Sequence, residues 1–235
     1  MGERFVLVHS PVLGSASWAP AAAALADAGH QVIVPSLSGF ADEGPPYAPR
    51  LVRRACAQLP DFAADQVVLV VHSGAGALAP YLAEAIPARG MTVVFADAGL
   101  PPRSGAATVT DTAFLPFLRD LADDGMVRPW PQWWPADVMS GLFPGERAQR
   151  QVAGEARSLP LAFFGEQLPP LPEGWPSCRC AYLRFSEGYL DPAREARARG
   201  WPVRELPGEH LHMLIEPAAV ATAIVDLAAV AAVQR

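Results

Sequence analysis

Two serines in this sequence each follow the dipeptide Val-His at the end of an apolar run. Ser10 ends the run "VLVHS" and Ser73 ends the run "VVLVVHS". A serine hydroxyl attacks a carbonyl carbon when a base takes its proton and hydrogen-bond donors stabilise the oxyanion that forms. The residues after each serine and the positions of the histidines therefore decide which serine could be a nucleophile.

Ser73 is followed by Gly-Ala-Gly and then by a sequence of helical composition. A sharp turn from a strand into a helix needs small neighbours, and it presents the serine oxygen at the sheet edge. The backbone N–H of Gly74 would face the developing oxyanion. The strict G-x-S-x-G pattern fails, since Val71 and Ala75 stand at the two glycine positions. The sequence favours Ser73 as a nucleophile over the alternative that it caps a helix.

A candidate base comes late in the chain, in "ELPGEHLHMLIEP". His210 follows the last predicted strand and precedes the last predicted helix, which begins near Pro217. Imidazole is the side chain that titrates near neutral pH. A histidine in this loop can reach over the sheet edge to Ser73, so we favour His210 as the base, with His212 as its rival.

Composition restricts the class of protein. The chain has 235 residues, of which 51% are hydrophobic and 18% are charged, which fits one globular domain with an insertion. Its net charge of −6 argues against nucleic acid as a partner. The three cysteines predict neither a disulfide framework nor a metal site. We expect a small-molecule substrate, no cofactor and no metal, and the sequence leaves a homodimer open.

Apolar segments at the two ends of the chain predict no membrane contact. The apolar stretch in "MGERFVLVHS" is too short for a signal peptide core or a membrane span. The longer run "AAVATAIVDLAAVAAV" carries Asp226 and is typical of a packed helix. These observations predict a soluble cytoplasmic protein.

Short apolar runs alternate with helical segments along the first hundred residues. Buried strands are predicted at 4–9, 31–35, 66–72 and 91–97, and again at 180–186 and 202–207. This alternation predicts an α/β fold, a mostly parallel sheet of about six strands with helices on both faces. Residues 99–177 contain no obvious buried strand, so we expect a helical cap insertion there. The core would then comprise residues 1–98 and 178–235.

Polar residues stand at the carboxyl ends of four predicted strands. These ends are His9-Ser10, Pro35-Ser36, His72-Ser73 and Asp97. In an open parallel sheet the site lies at the carboxyl ends of the strands. The sequence therefore predicts one site at this edge, where we expect His9 and His72 to support the strand ends rather than perform chemistry.

The order and spacing of these motifs resemble the α/β-hydrolase superfamily, in a compact form with a helical cap. "LVHSP…SW" resembles the oxyanion loop after the first strand, "VVHSGAG" the nucleophile turn, and "PGEHLHMLIEP" the histidine loop. The resemblance covers nearly the whole chain and implies a catalytic triad in the order Ser, acid, His.

The resemblance leaves three carboxylates open for the acid. The family most often places it after the strand 180–186, where Glu187 and Asp191 stand. Asp191 already suits the role of helix N-cap. Some members take the acid from one strand earlier, where Asp97 stands. We favour Asp97, then Glu187, then Asp191. The acid would hold the histidine tautomer and stabilise the imidazolium.

The resemblance also implies an oxyanion donor directly after the first histidine motif. Here that residue is Pro11, which has no backbone N–H. We expect the N–H of Val12 or a hydroxyl such as that of Ser10 to replace it. Losing one such donor typically costs about 3–4 kcal/mol of transition-state stabilisation.

The predicted cap is rich in aromatic residues, including Trp133 and Trp134, which predicts an apolar substrate in an enclosed pocket. The leading hypothesis is a serine hydrolase that cleaves a small, largely apolar ester, thioester or related carbonyl compound. The first alternative is a lyase, eliminase or biosynthetic tailoring enzyme with the same triad, motivated by Pro11. The second is a binding protein that has lost catalysis, against which the pair of Ser73 and His210 argues.

Overall fold

The structure, a computed structural model, describes residues 3–176 and 178–233. Within these residues the strands are β1 Arg4–Val8, β2 Gln31–Ile33, β3 Phe62–Ser73, β4 Ala88–Ala98, β5 Ala122–Asp123, β6 Met126–Val127, β7 Leu159–Pro160, β8 Arg179–Arg184 and β9 Val203–Glu205. The α-helices are α1 Ala19–Asp27, α2 Tyr47–Cys56, α3 Ala79–Ala85, α4 Leu115–Asp120, α5 Ala136–Gly141, α6 Glu146–Glu155, α7 Leu161–Phe164, α8 Leu190–Ala198, α9 His212–Ile215 and α10 Pro217–Val233. Short 3₁₀ helices lie at Ser15–Ser17, Gly74–Leu78, Thr112–Phe114, Trp130–Gln132 and Glu187–Tyr189.

The central sheet has six strands in the order β2-β1-β3-β4-β8-β9, and all of its pairings are parallel. The predicted parallel sheet of about six strands is therefore confirmed. The chain adds β2 on one side of β1 and β3 on the other, so the strand order reverses between β1 and β3. Open parallel sheets form their sites at such a reversal, at the carboxyl ends of the strands.

The sheet is buried on both faces by helices. On β3, Val67, Leu69 and Val71 contact one apolar layer, whereas Val68 and Val70 contact the other. The first layer includes side chains of α2, α3 and α8, and the second includes side chains of α1 and α10. Because both faces of a parallel strand are covered, its sequence is continuously apolar rather than alternating. This burial explains why the predicted strands were short apolar runs.

The segment between β4 and β8 holds the helices α4–α7 and a small antiparallel sheet in the order β5-β6-β7. Two carboxylates join it to the core. Glu155 accepts a hydrogen bond from the backbone N–H of Ala16 at 2.9 Å. Glu166 accepts from the N–H groups of Tyr47 and Ala48 at 2.6 and 2.8 Å, at the first turn of α2. The segment is thus held against the loop that follows β1 and against α2.

The small sheet corrects the expectation that residues 99–177 lack strands. Its strands have two residues each, too few for a periodic signal. Asp124 and Gly125 both have positive φ, at 46° and 73°, which is the geometry of a tight hairpin turn. The Asp-Gly dipeptide is therefore the sequence signal that could have revealed it.

Two further boundaries differ from the prediction. The strand predicted from residue 66 begins at Phe62, which pairs with Ala88 of β4 before a register irregularity. The composition of residues 75–90 predicts a helix over the whole segment, but the helix ends at Ala85, because Ile86 is extended and precedes Pro87. Among the described helices, none has the length and hydropathy needed to cross a membrane.

Candidate active site

The two Val-His-Ser triplets lie side by side at the reversal of the strand order. Val8 of β1 and Val71 of β3 are register partners in the parallel pairing. The residues that follow each valine therefore lie next to each other at the carboxyl ends of β1 and β3. The structure thus brings Ser10 and Ser73 to the same edge, as the strand ends predicted.

Ser73 lies in a strained turn between β3 and the 3₁₀ helix 74–78. Its φ of 56° and ψ of −127° are rare for a residue with a side chain. The position in this turn that requires a glycine is Gly76, because a Cβ there would overlap the carbonyl oxygen of Gly99. A Cβ at Gly74 would instead make ordinary contacts, at 3.7 Å or more. The turn thus tolerates Ala75 but needs glycine at position 76.

Asp97, the second-last residue of β4, has a second strained conformation, with a φ of 44°, and its side chain is completely buried. Its Oδ1 accepts hydrogen bonds from the N–H groups of Phe185 and Ser186, at 2.8 and 3.0 Å. Its Oδ2 accepts from the hydroxyl of Ser186 at 2.6 Å and pairs with Nδ1 of His210 at 2.8 Å. Four donors around one carboxyl suit its ionised, acceptor-only form.

His210 follows β9 and lies between three partners. Its Nδ1 donates to Asp97 Oδ2 in the neutral tautomer, which leaves Nε2 with a free lone pair. Its backbone carbonyl accepts a hydrogen bond from Nε2 of His72 at 3.1 Å. The ring of Tyr189 stacks on its ring, with centroids 5.0 Å apart and planes 3° apart. The imidazole is thus held on both its ring edge and its face.

The Ser73 hydroxyl bonds to a residue that sequence reasoning missed. Its Oγ lies 3.2 Å from the hydroxyl of Tyr189, and among the described residues it has no hydrogen bond to His210. Catalytic hydrogen bonds are often long in proteins without substrate, so this geometry leaves His210 available as a base. The sequence feature that could have indicated Tyr189 is its position in the loop after β8, where the family usually carries its acid.

The other carboxylates considered for the acid point elsewhere. The Glu187 side chain is 86% exposed and pairs with Arg184, and that of Asp191 is 89% exposed and pairs with Arg194. Asp191 was also wrongly predicted as a helix N-cap. The helix α8 begins one residue earlier, at Leu190, and its N-cap position, Tyr189, makes no side-chain capping hydrogen bond. Of the three candidates, Asp97 is the one bonded to His210.

His212, the rival base, packs away from Asp97. Its ring contacts the ring of Phe185, with centroids 5.7 Å apart, and it lies against Gly208, where a Cβ would overlap it. Ser186 and Tyr182 were not anticipated. Ser186 donates to Asp97 as described, and Tyr182 bonds through its hydroxyl to the carbonyl oxygen of Ala98 at 2.8 Å. Both fix the end of β4.

The loop after β1 lies against the Ser73 turn. The carbonyl oxygen of Ser10 accepts from the N–H of Leu13 at 3.0 Å, which closes a turn around Pro11 and Val12. A Cβ added at Gly74 would lie 3.8 Å from Ser10 Oγ, so the Ser10 hydroxyl is a neighbour of the Gly74 backbone. Within the described residues neither the Ser10 hydroxyl nor the Val12 N–H has a protein partner.

Both strand-end histidines are buried and electrically neutral. Burial lowers the pKa of His9, which bonds through Nδ1 to the carbonyl of Ser10 and through Nε2 to the N–H of Leu37. Burial, and then the positive charge that the neighbouring His210 can carry, lowers the pKa of His72 well below its ordinary range. The buried Nδ1 of His72 has no hydrogen-bond partner among the described residues.

The tryptophans predicted as substrate contacts lie in the segment between β4 and β8. Trp134 stacks on Phe117, with centroids 5.1 Å apart, and Trp133 contacts Phe117 and Phe164. Among the described residues, no ring contact joins either tryptophan to His210. Their role in substrate binding stays a prediction.

A parallel sheet of six strands, with a strained serine turn beside a bonded His–Asp pair, defines the class of this protein. The model of the alpha/beta hydrolase family matches residues 5–223. The chain therefore belongs to the alpha/beta hydrolase family and is an enzyme of the hydrolase type, as the sequence motifs predicted.

Several solved structures share the fold across nearly their full length. One is an extracellular alpha/beta-hydrolase from a Paenibacillus species, which is described as sharing structural and functional homology with tobacco salicylic acid binding protein 2. It has a TM-score of 0.72 and 18% identity, and the match covers 96% of this chain and 99% of that chain. Polyneuridine aldehyde esterase matches with a TM-score of 0.64 and 20% identity, covering 97% and 99% of the two chains.

Methylketone synthase I from tomato, solved with 2-tridecanone, matches with a TM-score of 0.69 and 17% identity, covering 97% of this chain and 98% of that chain. At such identities these likenesses show the fold. No curated protein sequence matches the chain.

Proposed function

We propose that this protein is a serine hydrolase that cleaves a small, largely apolar ester, thioester or related carbonyl compound. The observation that carries this proposal is the 2.8 Å hydrogen bond between His210 Nδ1 and Asp97 Oδ2, beside the strained turn of Ser73. It orients the imidazole so that Nε2 is free to act as a base.

In the acylation half of the reaction, Ser73 Oγ bonds to the carbonyl carbon while its proton passes to His210 Nε2. Asp97 stabilises the imidazolium that results. The tetrahedral intermediate then collapses, the bond from the carbonyl carbon to the leaving group breaks, and His210 returns the proton to the leaving group. A water molecule repeats the sequence on the acyl-enzyme and releases Ser73.

The backbone N–H of Gly74 stabilises the oxyanion on the side of the Ser73 turn. The Ser10 hydroxyl, which has no protein partner in the described part of the chain and lies next to Gly74, supplies the donor that Pro11 lacks. The N–H of Val12 is the other candidate. Two donors at this place are what acyl transfer needs.

An apolar substrate is supported by the aromatic segment between β4 and β8, where Phe114 and Trp134 remain more than one-third exposed. Exposed aromatic side chains of this kind bind apolar or aromatic groups. Of the solved structures with this fold, one is named an esterase and another was solved with 2-tridecanone, which agrees with this substrate class.

The test is labelling by a fluorophosphonate, which reacts with activated serine hydroxyls. We expect a single adduct at Ser73, which Ser73→Ala abolishes. Asp97→Asn should slow labelling and ester turnover by about 10⁴-fold, because the amide stabilises the wrong histidine tautomer. Glu187→Gln and Asp191→Asn are matched controls and should keep the unaltered rate. Intact mass without an adduct on the folded protein would contradict the proposal.

A lyase or other non-hydrolytic enzyme is the second candidate. It is favoured by Pro11, which removes a usual oxyanion donor, and by the bond from Ser73 to Tyr189 in place of His210. In that function Ser73 binds or relays a proton without being acylated. Turnover in water enriched in ¹⁸O separates the two, since hydrolysis places the heavy oxygen in the acid product and elimination does not.

A further inference from the structure

Tyr189 touches both residues that the proposed reaction uses, and that reaction assigns it no role. It ends the 3₁₀ turn 187–189 after β8. Its hydroxyl lies 3.2 Å from Ser73 Oγ, and its ring stacks on the ring of His210. The Tyr189 hydroxyl therefore lies beside the oxygen that the proposed reaction acylates, on a ring that packs against the proposed base.

The loop after β8 presents Tyr189 to the site because its carboxylates turn outward. Glu187 and Asp191 pair with arginines at the surface. Asp97, on the adjacent strand β4, bonds to His210 instead. With the acid supplied from β4, the loop that would otherwise deliver a carboxylate carries a phenol to the same place.

The phenol is a hydrogen-bond donor at neutral pH. Burial raises the pKa of Tyr189 to about 12, so it keeps its proton throughout the working range of a histidine base. Either hydroxyl of the pair can donate in the resting site, but when the Ser73 proton turns to His210 for transfer, the Tyr189 hydroxyl is the donor to the Ser73 oxygen. Once that oxygen is bonded to the acyl carbon it becomes a weaker acceptor, and the phenol is free to donate to a better one nearby.

The better acceptor is the leaving-group oxygen. This oxygen must lie beside His210 Nε2, which returns the proton to it, and the stacking places Tyr189 on that side of Ser73. Negative charge develops on the oxygen as its bond to the acyl carbon breaks. A donor aimed at developing charge lowers the barrier.

We propose that Tyr189 is a further catalytic residue whose hydroxyl donates a hydrogen bond to the leaving-group oxygen, which suits the site to esters of weakly acidic alcohols. This inference rests on the proposed function. The Ser73–acyl bond forms, the bond from the acyl carbon to the alcohol oxygen breaks, and the alcohol takes its proton from His210. Tyr189 keeps its own proton, so the balance of the reaction is unchanged.

The test compares the unaltered protein with Tyr189→Phe on a series of aryl acetates whose phenols differ in acidity. Phenylalanine keeps the ring on His210 and removes the hydroxyl alone. For weakly acidic phenols we expect kcat/KM to fall about tenfold, the equivalent of one neutral hydrogen bond. For 4-nitrophenyl acetate, whose leaving group needs little help, the loss should stay under about twofold. The plot of rate against leaving-group pKa therefore becomes steeper.

Tyr81→Phe is the matched control. Tyr81 also donates a phenolic hydrogen bond, to the carbonyl oxygen of Pro169 at 2.6 Å, but on α3 and apart from the site. It should leave the slope of the plot unchanged. Thermal unfolding and circular dichroism should show that both variants fold.

An equal loss on all esters, or no loss on any, would overturn the role of Tyr189, since a residue that only positions Ser73 or His210 affects every leaving group alike. In that case Ser73 of the unaltered protein would still be labelled by a fluorophosphonate, so the proposed function would stand. Absence of labelling and ester turnover in the unaltered protein would overturn the proposed function, and this inference with it.

Discussion

The carboxyl ends of β1 and β3 carry the same three residues, Val-His-Ser, and the valines of the two triplets are register partners. Their backbones then diverge. Ser73 takes a positive φ and the chain turns into a 3₁₀ helix, whereas Ser10 begins a turn closed by Leu13. The residues after the serine, Gly-Ala-Gly in one case and Pro-Val-Leu-Gly in the other, decide which turn forms.

The paired histidines differ in the same way. His9 uses both ring nitrogens. Nδ1 bonds to the carbonyl of Ser10 in the loop after β1, and Nε2 accepts from the N–H of Leu37 in the loop before α2. His72 uses one nitrogen to hold the carbonyl of His210. One triplet therefore braces the candidate oxyanion loop, and the other links the candidate nucleophile to the candidate base. The same three residues at one sheet edge thus have different structural roles.

The largest expected difference between the triplets is in turnover. Ser73→Ala should lower kcat for an aryl ester by about 10⁶-fold, as for other nucleophile deletions. Ser10→Ala should lower it by about 100-fold, the loss of one oxyanion donor. Steady-state hydrolysis of 4-nitrophenyl acetate measures both. Equal losses for the two variants would show that the triplets are not functionally distinct, and a loss below about twofold for Ser10→Ala would assign the second donor to Val12.

A smaller difference is expected in stability, at the tight glycine that follows each triplet. A Cβ at Gly76 would overlap the backbone carbonyl of Gly99, which cannot move without shifting β4. A Cβ at Gly14 would overlap Oε2 and Cβ of Glu155; the carboxylate can rotate away, and the overlap with the Cβ is relieved by a shift of the exposed C-terminal end of α6 and not of a central strand. Gly76→Ala should therefore lower the free energy of unfolding by about 3 kcal/mol, and Gly14→Ala by about 1 kcal/mol.

Urea unfolding of the two variants measures this difference. The loss at Gly14 includes the hydrogen bond between Glu155 and the N–H of Ala16, so Glu155→Ala, which removes the acceptor, is its control. A larger loss for Gly14→Ala than for Gly76→Ala would contradict the assignment of the tighter turn to β3.

The smallest expected difference is in the pH dependence of stability. Because burial lowers the pKa of both His9 and His72, the folded protein keeps them neutral, while the unfolded chain takes up protons below about pH 6.5. The unfolded state then binds more protons, so stability is complete above about pH 6.5 and falls with decreasing pH. Each histidine contributes up to about 1.4 kcal/mol per pH unit until the pH passes its folded pKa.

The two histidines should be separable by the range over which this loss continues. The pKa of His72 is lowered further than that of His9, so its contribution persists to lower pH. His72→Gln should flatten the curve of unfolding free energy over a wider pH range than His9→Gln. Urea unfolding between pH 7.5 and 5 provides the curves, and a wider effect of His9→Gln would contradict the order of the two pKa values.

Much of the fold was open to prediction because its signals are local. Continuous apolar runs such as residues 66–72 indicate strands buried on both faces, and their alternation with helices predicted the parallel sheet. The small sheet β5-β6-β7 was missed because each strand has two residues. The start of β3 at Phe62 was missed because it depends on pairing with Ala88, a contact made far along the chain.

The residues of the candidate site that have a local sequence motif could be predicted, and those that depend on distant contacts could not. Ser73 and His210 stood out by their turn and loop sequences, and Asp97 was one of three candidate carboxylates. Asp97 differs from the other two candidates by its hydrogen bonds with Ser186 and His210, which lie 89 and 113 residues away in the chain and therefore carry no local sequence signal. Tyr189 carried no motif of its own.

The sequence alone determined the class of fold, the sheet edge that carries the polar residues, and the residue types that follow each triplet. These follow from hydrophobic periodicity and from the backbone preferences of glycine and proline, which act within a few residues. The tertiary structure alone decided that the valines of the two triplets are register partners, that Asp97 bonds to His210, and that Tyr189 bonds to Ser73. Those contacts depend on the strand order, and strand order is set by packing of the whole chain.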